Sequence, residues 1–222
     1  AIPYTSSESN NTRRCYTQPY TILEREGIRI AIVGMLTPAI PSWLKEELWQ
    51  GLRFEEIAKS AKQAANYLKD KEKADIIIGL FHSGWDGGIK TEEYTEDATK
   101  QVAIELSGFD IIFFGHDHKE HNSIETNAKG GRVVCLNPAN NAMNVAEATI
   151  TITKNKNYIS SKAIKSSITD VSKMAVDSMM TTFFMPQTDA VKAFTSKKIG
   201  TLSNTIRTRD AFFGSSAFCD FI

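Results

Sequence analysis

The chain has no net charge: 26 lysines and arginines balance 26 aspartates and glutamates over 222 residues. Without a basic field to displace the counterions of a phosphate backbone, a nucleic-acid polymer is not an expected partner. No apolar run approaches the roughly 20 residues of a membrane-spanning helix. Cysteine is scarce. Cys15, Cys135 and Cys219 are odd in number, widely spaced and without a Cys-x-x-Cys pair. Neither a disulfide framework nor a zinc knuckle is indicated, and Cys135, inside Val133-Val134-Cys135-Leu136, reads as a core residue. There are no internal repeats and no low-complexity stretch. Histidine is also scarce, at four residues, which makes its placement informative.

What is present suits a globular chain. Hydrophobic content of 41% and charged content of 23% are ordinary, and the length allows one or two domains with a real core. Ile28–Gly34 and Ala74–Phe81 are predicted strands. Phe54–Lys69 carries apolar residues at helical spacing (Phe54, Ile57, Ala58, Ala61, Ala65, Leu68) and is predicted to pack as a helix. Glu96–Leu106 is a predicted helix that stops near Ser107-Gly108. Asp110–Phe114, Arg132–Leu136, Val145–Thr153 and Tyr158–Lys165 are predicted strands, the last two joined by a Lys-Asn-Lys-Asn turn. Strands alternate with helices first and follow one another later. That pattern gives an α/β layer whose sheet ends in antiparallel strands.

The apolar run Ile111-Ile112-Phe113-Phe114 reads as a strand buried on both faces, and Gly115-His116-Asp117-His118 follows it directly. In an extended segment, residues i and i+2 such as His116 and His118 point to the same side, with Cα atoms roughly 6.5 Å apart. That is wide for chelating one small ion and suits two ions roughly 3.5–4 Å apart. Gly115 is expected to let the backbone approach and turn. The strand 74–81 runs in the same way into His82-Ser83-Gly84-Trp85-Asp86-Gly87-Gly88. Carboxyl ends of strands collect at one edge of an α/β sheet, where sites are built. His82, His116 and His118 are therefore candidate metal ligands.

His121, in Lys119-Glu120-His121-Asn122-Ser123, reads as a solvated loop residue. Asp117 should face away from the histidines. It reads as solvated, with the orienting of an imidazole as the alternative. Asp86 is either a turn former or a carboxylate supporting the same site. The acidic stretch from Lys90 to Asp97 reads as a solvated loop and helix start, and Asn137-Pro138-Ala139-Asn140-Asn141 as a turn. Trp85 either walls the site or packs the loop. Phe212-Phe213 reads as core.

The order strand–His82-Ser83-Gly84, helix, strand–Gly115-His116-Asp117-His118 resembles the second half of a calcineurin-like metallophosphoesterase domain. More narrowly, it resembles the 5′-nucleotidase and 2′,3′-cyclic-nucleotide 2′-phosphodiesterase group. Gly27–Pro38, Trp43, Leu48-Trp49-Gln50-Gly51 and the stretch Arg209–Phe218 extend the likeness. The resemblance implies a partial four-layer α/β/β/α domain with mixed sheets over residues 1–168. An interdomain helical linker would follow at 169–198, and the start of a C-terminal substrate-binding domain at 199–222. It implies hydrolysis of nucleotide phosphoesters at two divalent ions (zinc, manganese, iron, cobalt or similar), with His82 and His116 on one ion and His118 on the other. It also implies a nucleotide or cyclic nucleotide as substrate and a periplasmic or extracellular location. The His-Ser-Gly form and Trp43 favour the 2′,3′-cyclic phosphodiesterase/3′-nucleotidase branch over 5′-nucleotidase.

The family's Asp-x-His, Gly-Asp and Gly-Asn-His-Asp/Glu motifs do not occur in this sequence. The expectation is therefore an internal fragment of a longer protein, in which a signal peptide would not be visible. Such a fragment holds no catalytic histidine of its own. It would bind at most one divalent ion weakly, be inactive alone, and associate with the missing segment or with another copy. The alternative of another class is a non-catalytic or degenerate binding module.

Overall fold

The computed structural model describes residues 17–155 and 158–221. Cys15 and the Lys156-Asn157 half of the expected turn lie outside them. The chain divides into two units between Lys173 and Met174.

In the first unit, β1 (Thr21–Arg25) and β2 (Ile28–Leu36) form an antiparallel hairpin. Glu26 and Gly27 close it at φ 49° and 68°, as a two-residue turn of right-twisted strands requires. β1 is short and mostly exposed, so its sequence carries no strand pattern strong enough to predict it. A single turn, α1 (Ile40–Trp43), precedes the long helix α2 (Ile57–Asp70). Helix α2 starts at Ile57 rather than Phe54 because the Glu56 carboxylate accepts from the amides of Ala58 and Lys59, which leaves Glu56 as the cap. The chain then forms β3 (Ile76–His82), the short ribbon of β4 (Gly87–Lys90) and β5 (Thr95–Asp97), and helix α3 (Thr99–Glu105). The expected helix start at Glu96 is thus replaced by a strand. Strands β6 (Ile111–Phe114), β7 (Glu120–Thr126) and β8 (Arg132–Pro138) follow, and then the long hairpin of β9 (Asn144–Asn155) and β10 (Tyr158–Asp170).

Six strands make one mixed sheet in the order β1-β2-β3-β6-β8-β7. The inner four run parallel, and β1 and β7 are antiparallel edges. The parallel strands are apolar on both faces because both are covered. On one face, Ala31, Val33, Ile77, Phe81, Ile112, Phe114 and Val133 meet the buried stripe of α2 (Ile57, Ala61, Ala64, Ala65, Leu68) and Val102 and Ala103 of α3. On the other, Ile111, Val134 and Leu136 meet Ala146, Ala148, Ile150, Ile164 and Ile168 of the β9–β10 hairpin. The described residues therefore stack as α/β/β, with the mixed α/β character expected. Cys135 is fully buried, and burial pushes its thiol up to about 12.

The second unit holds α4 (Ser178–Thr195), a 3-10 turn over Thr208–Phe213 and α5 (Ala217–Phe221). Asp177 caps α4 by accepting from the Met180 amide, and Pro186 lies inside the helix. Phe212, expected in a core, is 86% exposed. Among the described residues, no helix is long and apolar enough to cross a membrane.

Candidate metal centre

The parallel register of β3 and β6 places the candidate residues. Phe81 lies opposite Phe114, so the next positions, His82 and Gly115, leave the sheet side by side, and the Gly115 amide donates to the Phe81 carbonyl. His116 follows at once. Its Nδ1 stands 3.3 Å from His82 Nε2, and the ring centroids are 4.9 Å apart. The other ring nitrogen, Nε2, is 2.8 Å from Glu96 Oε1. The Trp43 ring lies 5.3 Å from the His116 ring.

The segment after β6 is not extended. His116 and His118 both take positive φ, 91° and 58°, so strand alternation does not align their imidazoles. The loop is bent by Asp117, whose carboxylate accepts from the Trp85 and Lys119 amides and from the Asn137 side chain. Asp117 is half-buried and braces the β3 and β6 loops against β8. Gly115 has ordinary φ, and a Cβ on it would meet nothing, so the site does not depend on its lack of a side chain. His118 is exposed, and its proximity joins burial and His116 in lowering the pKa of His82.

Other expectations also shift. His121 is half-buried in β7, its ring 4.2 Å from that of Trp85 and its Nε2 2.8 Å from the Ser123 hydroxyl. Trp85 packs the loop against Phe114 and His121. Asp86 is exposed and pairs with Lys90 and Lys100 at 3.3 and 3.1 Å. Asn137, expected in a turn, ends β8 fully buried, holding Asp117 with its amide and the Ala139 N–H with its oxygen.

Sequence reasoning missed Glu96 and Asp97. The loop after His82 is laced to them. Ser83 Oγ donates to the Glu96 carbonyl and accepts from the Ala98 amide. The Thr99 hydroxyl donates to the Ser83 carbonyl, and the Gly84 amide donates to Asp97 Oδ1 at 2.6 Å. Burial raises the pKa of Asp97, the Gly84 hydrogen bond opposing it. A Cβ on Gly84 would come within 2.6 Å of Asp97 Oδ1, and one on Gly88 within 2.6 Å of Glu96 Oε2. The glycines flanking Asp86 thus make room for two carboxylates. An acidic pair just ahead of a helix does suggest a cap. No spacing rule says that it folds back onto His82.

The donor chemistry fits a divalent ion. Two Zn–N bonds of 2.0–2.1 Å at a tetrahedral angle separate their nitrogens by roughly 3.3–3.4 Å, and His82 Nε2 and His116 Nδ1 are 3.3 Å apart. Glu96, Asp97 and His116 also bring ligand-type atoms within 4.8 Å of one another, but Asp97 is already held by Gly84, and Glu96 by His116 and Ile89.

No family model matches the chain. It is 28% identical over 107 residues to protein UshA of Yersinia enterocolitica, covering 48% of this chain and 20% of that protein. It is 29% identical over 103 residues to a 5′-nucleotidase of Vibrio cholerae (46% and 19%). To a 2′,3′-cyclic-nucleotide 2′-phosphodiesterase/3′-nucleotidase of Haemophilus influenzae it is 28% identical over 119 residues (49% and 17%). The matched stretch is a fifth or less of these relatives' length. Among solved structures, the calcineurin-like phosphoesterase YfkN from Bacillus subtilis superposes with TM-score 0.68 at 20% identity, over 82% of this chain and 60% of that one. A 5′-nucleotidase-type chain from Staphylococcus aureus gives 0.64 at 17%, over 88% and 38%. The chain shares the fold of calcineurin-like phosphoesterases and, over about half its length, sequence with nucleotide phosphoesterases.

Proposed function

We propose that this chain contributes one side of a two-metal site that hydrolyses nucleotide phosphoesters, with 2′,3′-cyclic-nucleotide 2′-phosphodiesterase/3′-nucleotidase activity. The observation that carries the reading is the imidazole pair. His82 Nε2 and His116 Nδ1 face each other at 3.3 Å on the carboxyl edge of a parallel sheet, in a chain with this fold and these relatives. His82 and His116 would hold one ion, and the exposed His118 a second. Such ions supply charge neutralisation at phosphate oxygens and a water that ionises near neutral pH. The chain's own residues fix the geometry. Asp117 and Asn137 brace the loops, and Trp43 lends an aromatic wall beside His116. Two adjacent dications need anionic ligands between them, and imidazole ligands bring no negative charge. Carboxylates supplied by further protein would complete the site. Residues 1–222 alone would hold at most one divalent ion, weakly, without turnover. The sequence likeness also favours export to the periplasm or cell surface, which fractionation of the natural protein tests.

The deciding experiment uses the natural protein with 2′,3′-cyclic AMP, 3′-AMP and 5′-AMP. Hydrolysis of the first two is expected, with His82→Ala and His116→Ala each lowering turnover by orders of magnitude while the fold persists. Turnover of 5′-AMP alone would move the assignment to 5′-nucleotidase. Normal turnover in His116→Ala would overturn the site, and two metal equivalents with robust activity in residues 1–222 would show that the site is complete without further carboxylates.

A further inference from the structure

We propose that Glu96 is a positioning residue for His116: it fixes the imidazole in the tautomer with the proton on Nε2 and thereby turns a bare Nδ1 lone pair toward His82. The inference rests on the reading of His82 and His116 as metal ligands and adds the group that prepares one of them.

Three observations carry it. The first is the carboxylate's direction. Glu96 Oε1 lies 2.8 Å from His116 Nε2, and an ionised carboxylate only accepts, so the ring nitrogen facing it must bear the proton. A neutral imidazole has one such proton, which leaves Nδ1 unprotonated. That nitrogen is the one 3.3 Å from His82 Nε2. The second is that Glu96 is itself immobilised. Its Oε2 accepts from the Ile89 amide at 2.6 Å, its backbone carbonyl accepts from Ser83 Oγ, and its side chain is only 12% exposed. The third is Gly88. It sits at φ 64°, where a Cβ would fall 2.6 Å from Glu96 Oε2. The β4–β5 ribbon is therefore shaped around this carboxylate. Because both oxygens are engaged, Glu96 acts through His116. A carboxylate behind a ligating imidazole orients the ring and raises its basicity, and losing it costs about 10- to 100-fold in metal affinity.

The test uses residues 1–222 with zinc alone and reads two things. In metal-free, 15N-histidine-labelled protein, long-range 1H–15N spectra should show a protected proton on His116 Nε2 that disappears in Glu96→Ala. In zinc titrations, Glu96→Ala should weaken binding about 10- to 100-fold. Glu96→Gln, whose side-chain oxygen can still accept from Nε2–H, should recover much of that loss. In a His116→Ala background, Glu96→Ala should have no further effect on zinc, because Glu96 then has no imidazole to orient; a merely structural role would persist there. A His116 proton on Nδ1 in place of Nε2, or an undiminished Glu96→Ala effect without His116, would each overturn the proposal while leaving the ligand assignment standing. If neither His82→Ala nor His116→Ala alters zinc binding, the site reading fails and this inference with it.

Discussion

Single residues around the imidazole pair are held by close contacts, and that makes them sensitive. Gly84 is one of the tightest: a methyl there collides with Asp97 Oδ1 and Asp117 Cβ at 2.6 and 2.7 Å. Gly84→Ala is expected to cost about 1–3 kcal/mol, the usual penalty of overpacking, read as a lower urea midpoint at unchanged slope. His121 gives a pH dependence. Burial against Trp85 and Phe114 lowers its pKa from 6.5, outweighing the opposite pull of Glu125 and Asp117. Between that lowered value and 6.5 the unfolded chain binds more protons than the folded one, so stability must fall as pH drops through the window and return above it. His82, lowered by burial and by its neighbouring imidazoles, acts with the same sign. The melting temperature should therefore decrease from pH 7 toward pH 5.5, and less steeply in His121→Phe, whose ring keeps the stack on Trp85. At this scale the sequence disclosed the histidines, because imidazoles at strand ends are conspicuous. It hid Glu96, Asp97 and Asn137, because polar residues beside turns look solvated until long-range packing buries them.

At the scale of elements, the parallel strands and α2 were legible because their periodicities are long and unbroken. The edge strands β1 and β7 were not. β7 alternates exposed and half-buried positions throughout, and its polar composition outweighs that weak alternation when read locally. The stretch at β5 reads locally as helix because an acidic first turn is a good helix start. Its residues instead pair with β4 and stitch to Ser83, a contact across a dozen residues that no local propensity encodes. Helix α2 offers a clean test of capping. Both Glu56 oxygens accept first-turn amides, at 2.8 and 2.6 Å, so Glu56→Ala should cost about 1 kcal/mol. The change should appear in chemical denaturation, with zinc affinity untouched, since Glu56 makes no contact with the imidazole pair.

For the molecule as a whole, the hairpin-side face of the sheet is unevenly covered. Ile111, Val134 and Leu136 are sealed by β9 and β10, yet Leu36, Leu80 and Val145 remain 49%, 48% and 52% exposed near His82. In the parallel register Leu36 lies opposite His82, and Gly34 opposite Leu80, so this apolar strip adjoins the imidazoles. Residues 1–222 are expected to self-associate through it at high concentration. Sedimentation velocity should show a larger species that Leu80→Ser reduces, and an unchanged profile would mean the strip is inert. The same layering sets an order of events on the ribosome. No neighbouring pair among β2, β3, β6 and β8 can zip locally, because each parallel partner arrives only after a crossover. The hairpin that seals the second face is drawn from residues 144–170, after all six sheet strands have been made. During synthesis the sheet must wait with one apolar side bare until that ribbon emerges. This interval is when the nascent chain most needs shelter from its neighbours.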